Sequence, residues 1–94
     1  LRLVYVPVKD LDVPLQMAVS VSKRYFKKAV DRNYYKRVLR ECYRLNKDLL
    51  LKDLSEPYVL MFFYQTKERL TYQEIEDKTK KLFEKFTDSL QKTP

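Results

Sequence analysis

The sequence predicts an α+β fold, a two-layer α/β sandwich with two helices on one face of a small mixed sheet. Three observations lead there. Apolar residues alternate with polar ones toward the N-terminus, as in strands with one wet face. A helical period then takes over from Lys23 to Lys47. A short, continuous apolar run separates that segment from a second amphipathic stretch. The 94 residues are 45% hydrophobic, enough for one core in a single domain, residues 1–94, with no need of disulfide or metal.

The elements follow in the order β-β-α-β-α. Leu1 to Val8, rich in Leu, Val and Tyr, reads as a strand with Pro7 near its end. Lys9 to Pro14 is a turn. Met17 to Ser22 alternates cleanly, with Met17, Val19 and Val21 on one face and Ala18, Ser20 and Ser22 on the other. The short connection predicts that these two strands form an antiparallel hairpin. On a helical wheel from Arg32, one arc holds Arg32, Asn33, Lys36, Arg37, Arg40, Tyr43, Arg44 and Lys47. The opposite arc holds Tyr34, Tyr35, Val38, Leu39, Cys42 and Leu45, with Asp31 intruding. This helix begins between Lys28 and Asp31, after a basic entry loop. Tyr58 to Tyr64, bounded by Glu56-Pro57 and Gln65-Thr66, reads as a central strand. A last helix opens with Thr71 and Glu74 in capping-box spacing, then carries Ile75, Leu82, Phe86 and Leu90 as a stripe, with Phe83 alongside.

Composition excludes several chemistries. With no His there is no imidazole base and no His-ligated metal. With no Gly there is no phosphate-cradling glycine loop and no dinucleotide fingerprint. One Cys allows neither an internal disulfide nor a structural zinc site, and fits a reducing compartment. Cys42 lies in the apolar arc and reads as a buried residue. Asp10 and Asp12 are explained by turn chemistry, and Glu74 and Asp77 by the positive end of a helix dipole.

The charge is the positive signal. The chain carries 20 Lys+Arg against 13 Asp+Glu, a net +7. Ten of those bases fall between Lys23 and Lys47 (Lys23, Arg24, Lys27, Lys28, Arg32, Lys36, Arg37, Arg40, Arg44, Lys47), against Asp31 and Glu41. The rest of the chain is close to neutral. Arg24, Lys28, Arg32, Lys36, Arg40 and Arg44 recur every fourth residue, stacking like charges on successive turns. Such pairs cost a few tenths of a kcal/mol each in an isolated helix, so a polyanionic partner is implied. Tyr43, among the basic residues, is placed to stack on a base or sugar, and Asn33 offers both donor and acceptor.

The stretch Val19-Ser20-Val21-Ser22-Lys23-Arg24, followed by Lys28-Ala29-Val30-Asp31-Arg32-Asn33-Tyr34-Tyr35-Lys36-Arg37-Val38-Leu39-Arg40-Glu41, resembles the signature of the bacterial ribonuclease P protein component. Tyr34 stands where that family usually has a second Arg. The resemblance implies a ribosomal-protein-like sandwich with a left-handed βαβ crossover. It implies an endoribonuclease holoenzyme that matures tRNA 5′ ends, with catalysis and magnesium held mainly by the RNA subunit and no catalytic residue on the protein. Its partners would be ribonuclease P RNA and precursor tRNA. RNA contacts would come from Lys23, Arg24, Lys27, Lys28, Arg32, Asn33, Lys36, Arg37, Arg40 and Arg44, while the sheet face with Ser20 and Ser22 would meet either the 5′ leader or solvent. The family's N-terminal helix and first short strand have no counterpart here, and would precede Leu1.

Three other readings compete with this one. A non-catalytic ribosomal or assembly protein could use the same basic helix. A membrane-surface helix would need the apolar arc that the sheet also needs. A DNA reader lacks a helix-turn-helix pattern. No membrane and no DNA are therefore expected as partners, and the cytoplasm is the expected location.

Overall fold

The computed structural model describes residues 1–51, 54 and 56–91. Its elements are β1 (Arg2–Pro7), β2 (Leu15–Val21), α1 (Ala29–Leu51), β3 (Tyr58–Tyr64) and α2 (Tyr72–Gln91). The α+β class and the β-β-α-β-α order are as the sequence predicts, and β3 has the predicted bounds.

The hairpin does not form. The sheet order is β1-β3-β2, with β3 inserted between the two N-terminal strands. β1 pairs antiparallel with β3, Arg2 opposite Phe63 and Pro7 opposite Tyr58. β2 runs parallel to β3, Leu15 opposite Tyr58 and Val21 opposite Tyr64. Two physical reasons stand behind this. A tight hairpin needs residues at positive φ, and none of the described residues adopts one. β3, moreover, is apolar on both faces, so it takes the position flanked on both edges. The connection from Val8 to Pro14 instead wraps the start of β3: Val8 N–H donates to the Pro57 carbonyl at 2.9 Å, and Tyr58 N–H to the Pro14 carbonyl at 3.2 Å.

Alternation divides the sheet. Tyr58, Leu60, Phe62 and Tyr64 are buried. Phe62 meets Phe83 of α2 at 5.9 Å between centroids, and Tyr64 meets Tyr35 of α1 at 4.6 Å. Leu3, Met17, Val19 and Val21 pair with or beside these residues and join the same core. The opposite face carries Val4, Val6, Ala18, Val59, Met61 and Phe63 by the same alternation. No helix covers it among the described residues, and Val6 remains 52% exposed.

α2 starts on the predicted capping box. Glu74 N–H donates to Thr71 Oγ1 at 3.2 Å, and Thr71 N–H donates back to Glu74 Oε1 at 3.3 Å. Ile75, Thr79, Phe83 and Phe86 are its buried positions, while Leu82 and Leu90 sit at the margin. The Thr79 hydroxyl is satisfied by the Ile75 carbonyl at 2.7 Å.

Candidate nucleic-acid interface

The basic surface starts where β2 ends. The Ser22 carbonyl accepts from Phe26 N–H at 3.1 Å, and Ser22 Oγ accepts from Arg24 N–H at 3.2 Å. A serine at this place lets the chain turn without glycine. Phe26 then drives into the core at 2% exposure, against Tyr35 at 4.8 Å and Tyr64 at 5.5 Å. Lys23, Arg24, Lys27 and Lys28, on either side of that anchor, are all exposed.

Arg32 fixes the other end of the loop. Its Nη1 donates to the carbonyls of Phe26 and Lys27, both at 2.8 Å. The side chain is thus committed to the backbone of the loop that precedes its own helix. Charge-assisted bonds of this kind are about twice as strong as neutral ones. The guanidinium of Arg69, from the connection between β3 and α2, lies over the Phe26 ring at 5.4 Å and pairs with Asp31 at 3.3 Å. Asp31, the acid in the apolar arc, therefore has a partner that its own helix does not supply. Nothing in the sequence pattern singles out Arg69, because its relation to Asp31 is made by the fold.

Along α1 the exposed arc carries Asn33, Arg37, Arg40, Arg44 and Lys47, with Lys36 half-buried at its margin. Arg44 is the one exposed arginine of α1 already held by an acid among the described residues, gripping Glu41 through Nε and Nη2. That bond holds the Glu41 carboxyl below its usual range and pushes the Arg44 guanidinium up. A phosphate approaching Arg44 competes with Glu41. Arg37 and Arg40 carry no such competitor among the described residues.

Two tyrosines change places relative to the wheel. Tyr43 is half-buried against Phe83, ring centroids 6.4 Å apart, and burial raises its phenol pKa. It belongs to the core margin. Tyr34, expected inside, is 48% exposed. The buried face is rotated toward Tyr43 because Asn46 is buried too, its Nδ2 satisfied by the Cys42 carbonyl at 2.8 Å. Hydropathy alone assigns an asparagine to solvent. Cys42 is a free, fully buried thiol, pushed up to about 11 chiefly by desolvation.

The two serines separate. Ser20, opposite Phe63 in the register, lies on the open sheet face, half-buried. Ser22 is spent on the turn that opens the basic loop. Among the described residues no three Asp, Glu or Cys side chains gather into a cluster that could hold a metal ion. No helix among them is long and apolar enough to cross a membrane.

A family model described as Ribonuclease P matches residues 1–87. The ribonuclease P protein component of Porphyromonas gingivalis strain W83 is 58% identical over 40 residues, which cover 43% of this chain and 29% of the relative. The protein of the same name from Chlorobaculum tepidum is 42% identical over 43 residues, 46% of this chain and 28% of the relative. The match thus spans under a third of the length of these curated relatives. No solved structure matches the chain significantly. With the family model covering nearly its whole length, the chain belongs to the ribonuclease P protein family.

Proposed function

We propose that this chain acts as the RNA-binding protein subunit of a ribonuclease P ribonucleoprotein, in the maturation of precursor-tRNA 5′ ends in the cytoplasm. The observation that carries the reading is the run of exposed bases from the loop onto the first half of α1. Lys23, Arg24, Lys27 and Lys28 on an anchored loop continue into Arg37 and Arg40 on α1. Phosphates of the catalytic RNA relieve the repulsion that this surface retains. Arg32 serves by holding the loop, and Asn33 and Lys36 complete the surface. The open sheet face with Ser20 is the candidate path for the 5′ leader of the substrate.

The division of labour follows from the donor set. Three acids of α2 are occupied in structure: Glu74 closes the capping box, Glu76 pairs with Lys80, and Asp77 accepts from Gln73 at 3.1 Å. Among the described residues no three carboxylates or thiols gather to hold a magnesium ion, and this reading assigns the ion and the bond cleavage to the RNA. The protein lowers the electrostatic cost of bringing substrate and RNA together, which high magnesium otherwise screens.

The test is cleavage of a precursor tRNA by a bacterial ribonuclease P RNA, with and without the protein. The expected result is strong stimulation at low magnesium that fades as magnesium rises. No stimulation at low magnesium, with RNA binding intact, would favour a non-catalytic RNA-binding module instead. A carboxylate variant at Asp10, Asp12, Glu74 or Asp77 that stays folded, RNA-bound and inactive at saturating magnesium would move catalysis onto the protein.

A further inference from the structure

We propose that Tyr34 is a stacking platform for one unpaired RNA base, set at the edge of the basic surface. The inference rests on the RNA-binding reading above and names a contact that phosphates cannot supply. Three features of the helix carry it.

Tyr34 is large, aromatic and 48% exposed, with the exposed Arg37 as its basic neighbour one turn on. Its ring is held from below. Tyr35 packs edge-on against it, centroids 5.0 Å apart at 80°, and Tyr35 itself is fixed between Phe26 and Tyr64. The ring is therefore braced through the core, and ordering it on binding costs little entropy. Val30, one turn earlier, is 67% exposed, the highest value among the large apolar residues of the chain. Val30 and Tyr34, four residues apart, share one stripe of the helix, and Arg37 follows three residues on. An apolar ledge ending in an arginine matches a nucleotide: the base lies on the ledge and its phosphate meets the guanidinium. Solubility alone gives no reason for a valine and a tyrosine to be exposed together at this place.

The other exposed tyrosine of the basic segment is built differently. Tyr25 carries the guanidinium of its neighbour Arg24 over its ring at 5.9 Å, so one face is already occupied. Tyr34 has no cation over it among the described residues.

Stacking and phosphate contacts have separable signatures. Stacking on one aromatic is worth about 5- to 160-fold in affinity by alanine substitution and does not release counterions. Tyr34→Ala should therefore weaken RNA binding within that range and leave the slope of log K against log salt unchanged. Tyr34→Phe should bind like the parent protein. Arg37→Ala should instead reduce the magnitude of the slope by about one.

The chain has no Trp, so Tyr34→Trp supplies a single reporter at the site. Its emission, followed during titration with bacterial ribonuclease P RNA and separately with precursor tRNA, identifies which RNA provides the base. Quenching by either supports stacking. Three results would overturn the proposal: Tyr34→Ala binding both RNAs within twofold of the parent, a loss of affinity accompanied by a reduced salt slope, or unquenched emission from a complex seen by gel shift. Self-association of the parent protein abolished by Tyr34→Ala would also overturn it, by assigning the ledge to a second copy. If the parent protein binds neither RNA, the RNA-binding reading fails first, and the two failures are told apart.

Discussion

α1 and α2 lie on the same side of the same sheet and are nearly equal in length, 23 and 20 residues. Their inner faces do the same work, filling the core with Leu39, Cys42 and Leu50 from one and Ile75, Phe83 and Phe86 from the other. Their outer faces differ entirely. On α2, Lys80 pairs with Glu76 at 3.5 Å and Gln73 with Asp77, so opposite charges and dipoles offset one another locally. On α1 the bases accumulate, and Glu41 holds Arg44 alone. The starts differ as well. α2 caps itself through Thr71 and Glu74, whereas the first turn of α1 is tied back to the preceding loop by Arg32. The fold constrains the inner face of each helix and leaves the outer face free; only α1 keeps exposed bases there without acids to offset them, as the proposed RNA partner would require.

The largest effect that could break this contrast is the response to salt. If six to eight basic groups meet phosphates, log K should fall against log salt with a slope on the order of −4 to −7. Removing Arg37 and Arg40 together should make it shallower by about two, while removing Lys80 and Lys81 should change it far less. Equal changes from both pairs would mean that net charge governs binding and that the two helices are equivalent.

Anchoring comes next. Phe26→Ala empties a fully packed site and should cost about 3–5 kcal/mol in chemical denaturation. Arg32→Ala removes charged bonds to two loop carbonyls and should cost about 1.5–3 kcal/mol, lowering RNA affinity together with stability. Arg37→Ala should lower affinity alone. A smaller effect separates the caps: Thr71→Ala should destabilise by about 1 kcal/mol and leave RNA affinity untouched.

The pH dependence sharpens the inner-face side of the comparison. Cys42 titrates at about 11 in the folded chain against an unperturbed 9.0. The folded state thus holds its proton over that interval and the unfolded state releases it, so stability present below pH 9 is lost as pH rises toward 11. Tyr58 and Tyr64 are also shifted upward by burial and add to the alkaline loss. Cys42→Ala should flatten the decline between pH 9 and 11, measured as the denaturation midpoint.

Local chemistry was legible in the sequence wherever it was complete within a few residues. The bounds of β3, the capping box at Thr71 and the basic content of the loop and α1 depend on adjacent residues, and each stands where the pattern puts it. Features that depend on distant partners were not legible. The hairpin reading assumed that neighbouring strands pair, yet β3 offers β1 and β2 a more apolar neighbour than either offers the other. The wheel put Tyr34 inside and Tyr43 outside because it could not credit Asn46 with burial. Arg32 was read as solvent-facing because its acceptors, the Phe26 and Lys27 carbonyls, belong to a loop whose path the residue pattern does not give.

The central position of β3 also orders events during synthesis. β1 and β2 leave the ribosome before β3, and neither has a sheet partner until Tyr58 to Tyr64 follows. α1, between β2 and β3 in the chain, emerges with its apolar side uncovered and its basic side already complete. Pairing between distant segments is slow to form, so the nascent chain displays its most positive segment before any sheet exists to organise it. RNA met at that moment would encounter an unstructured polycation that binds without selectivity. The anchors at Phe26, Arg32 and Arg69 close only after β3 and its connection arrive, and with them the charge becomes a shaped surface. If the basic surface binds RNA as proposed, selectivity waits for β3, a strand that contributes none of the basic surface.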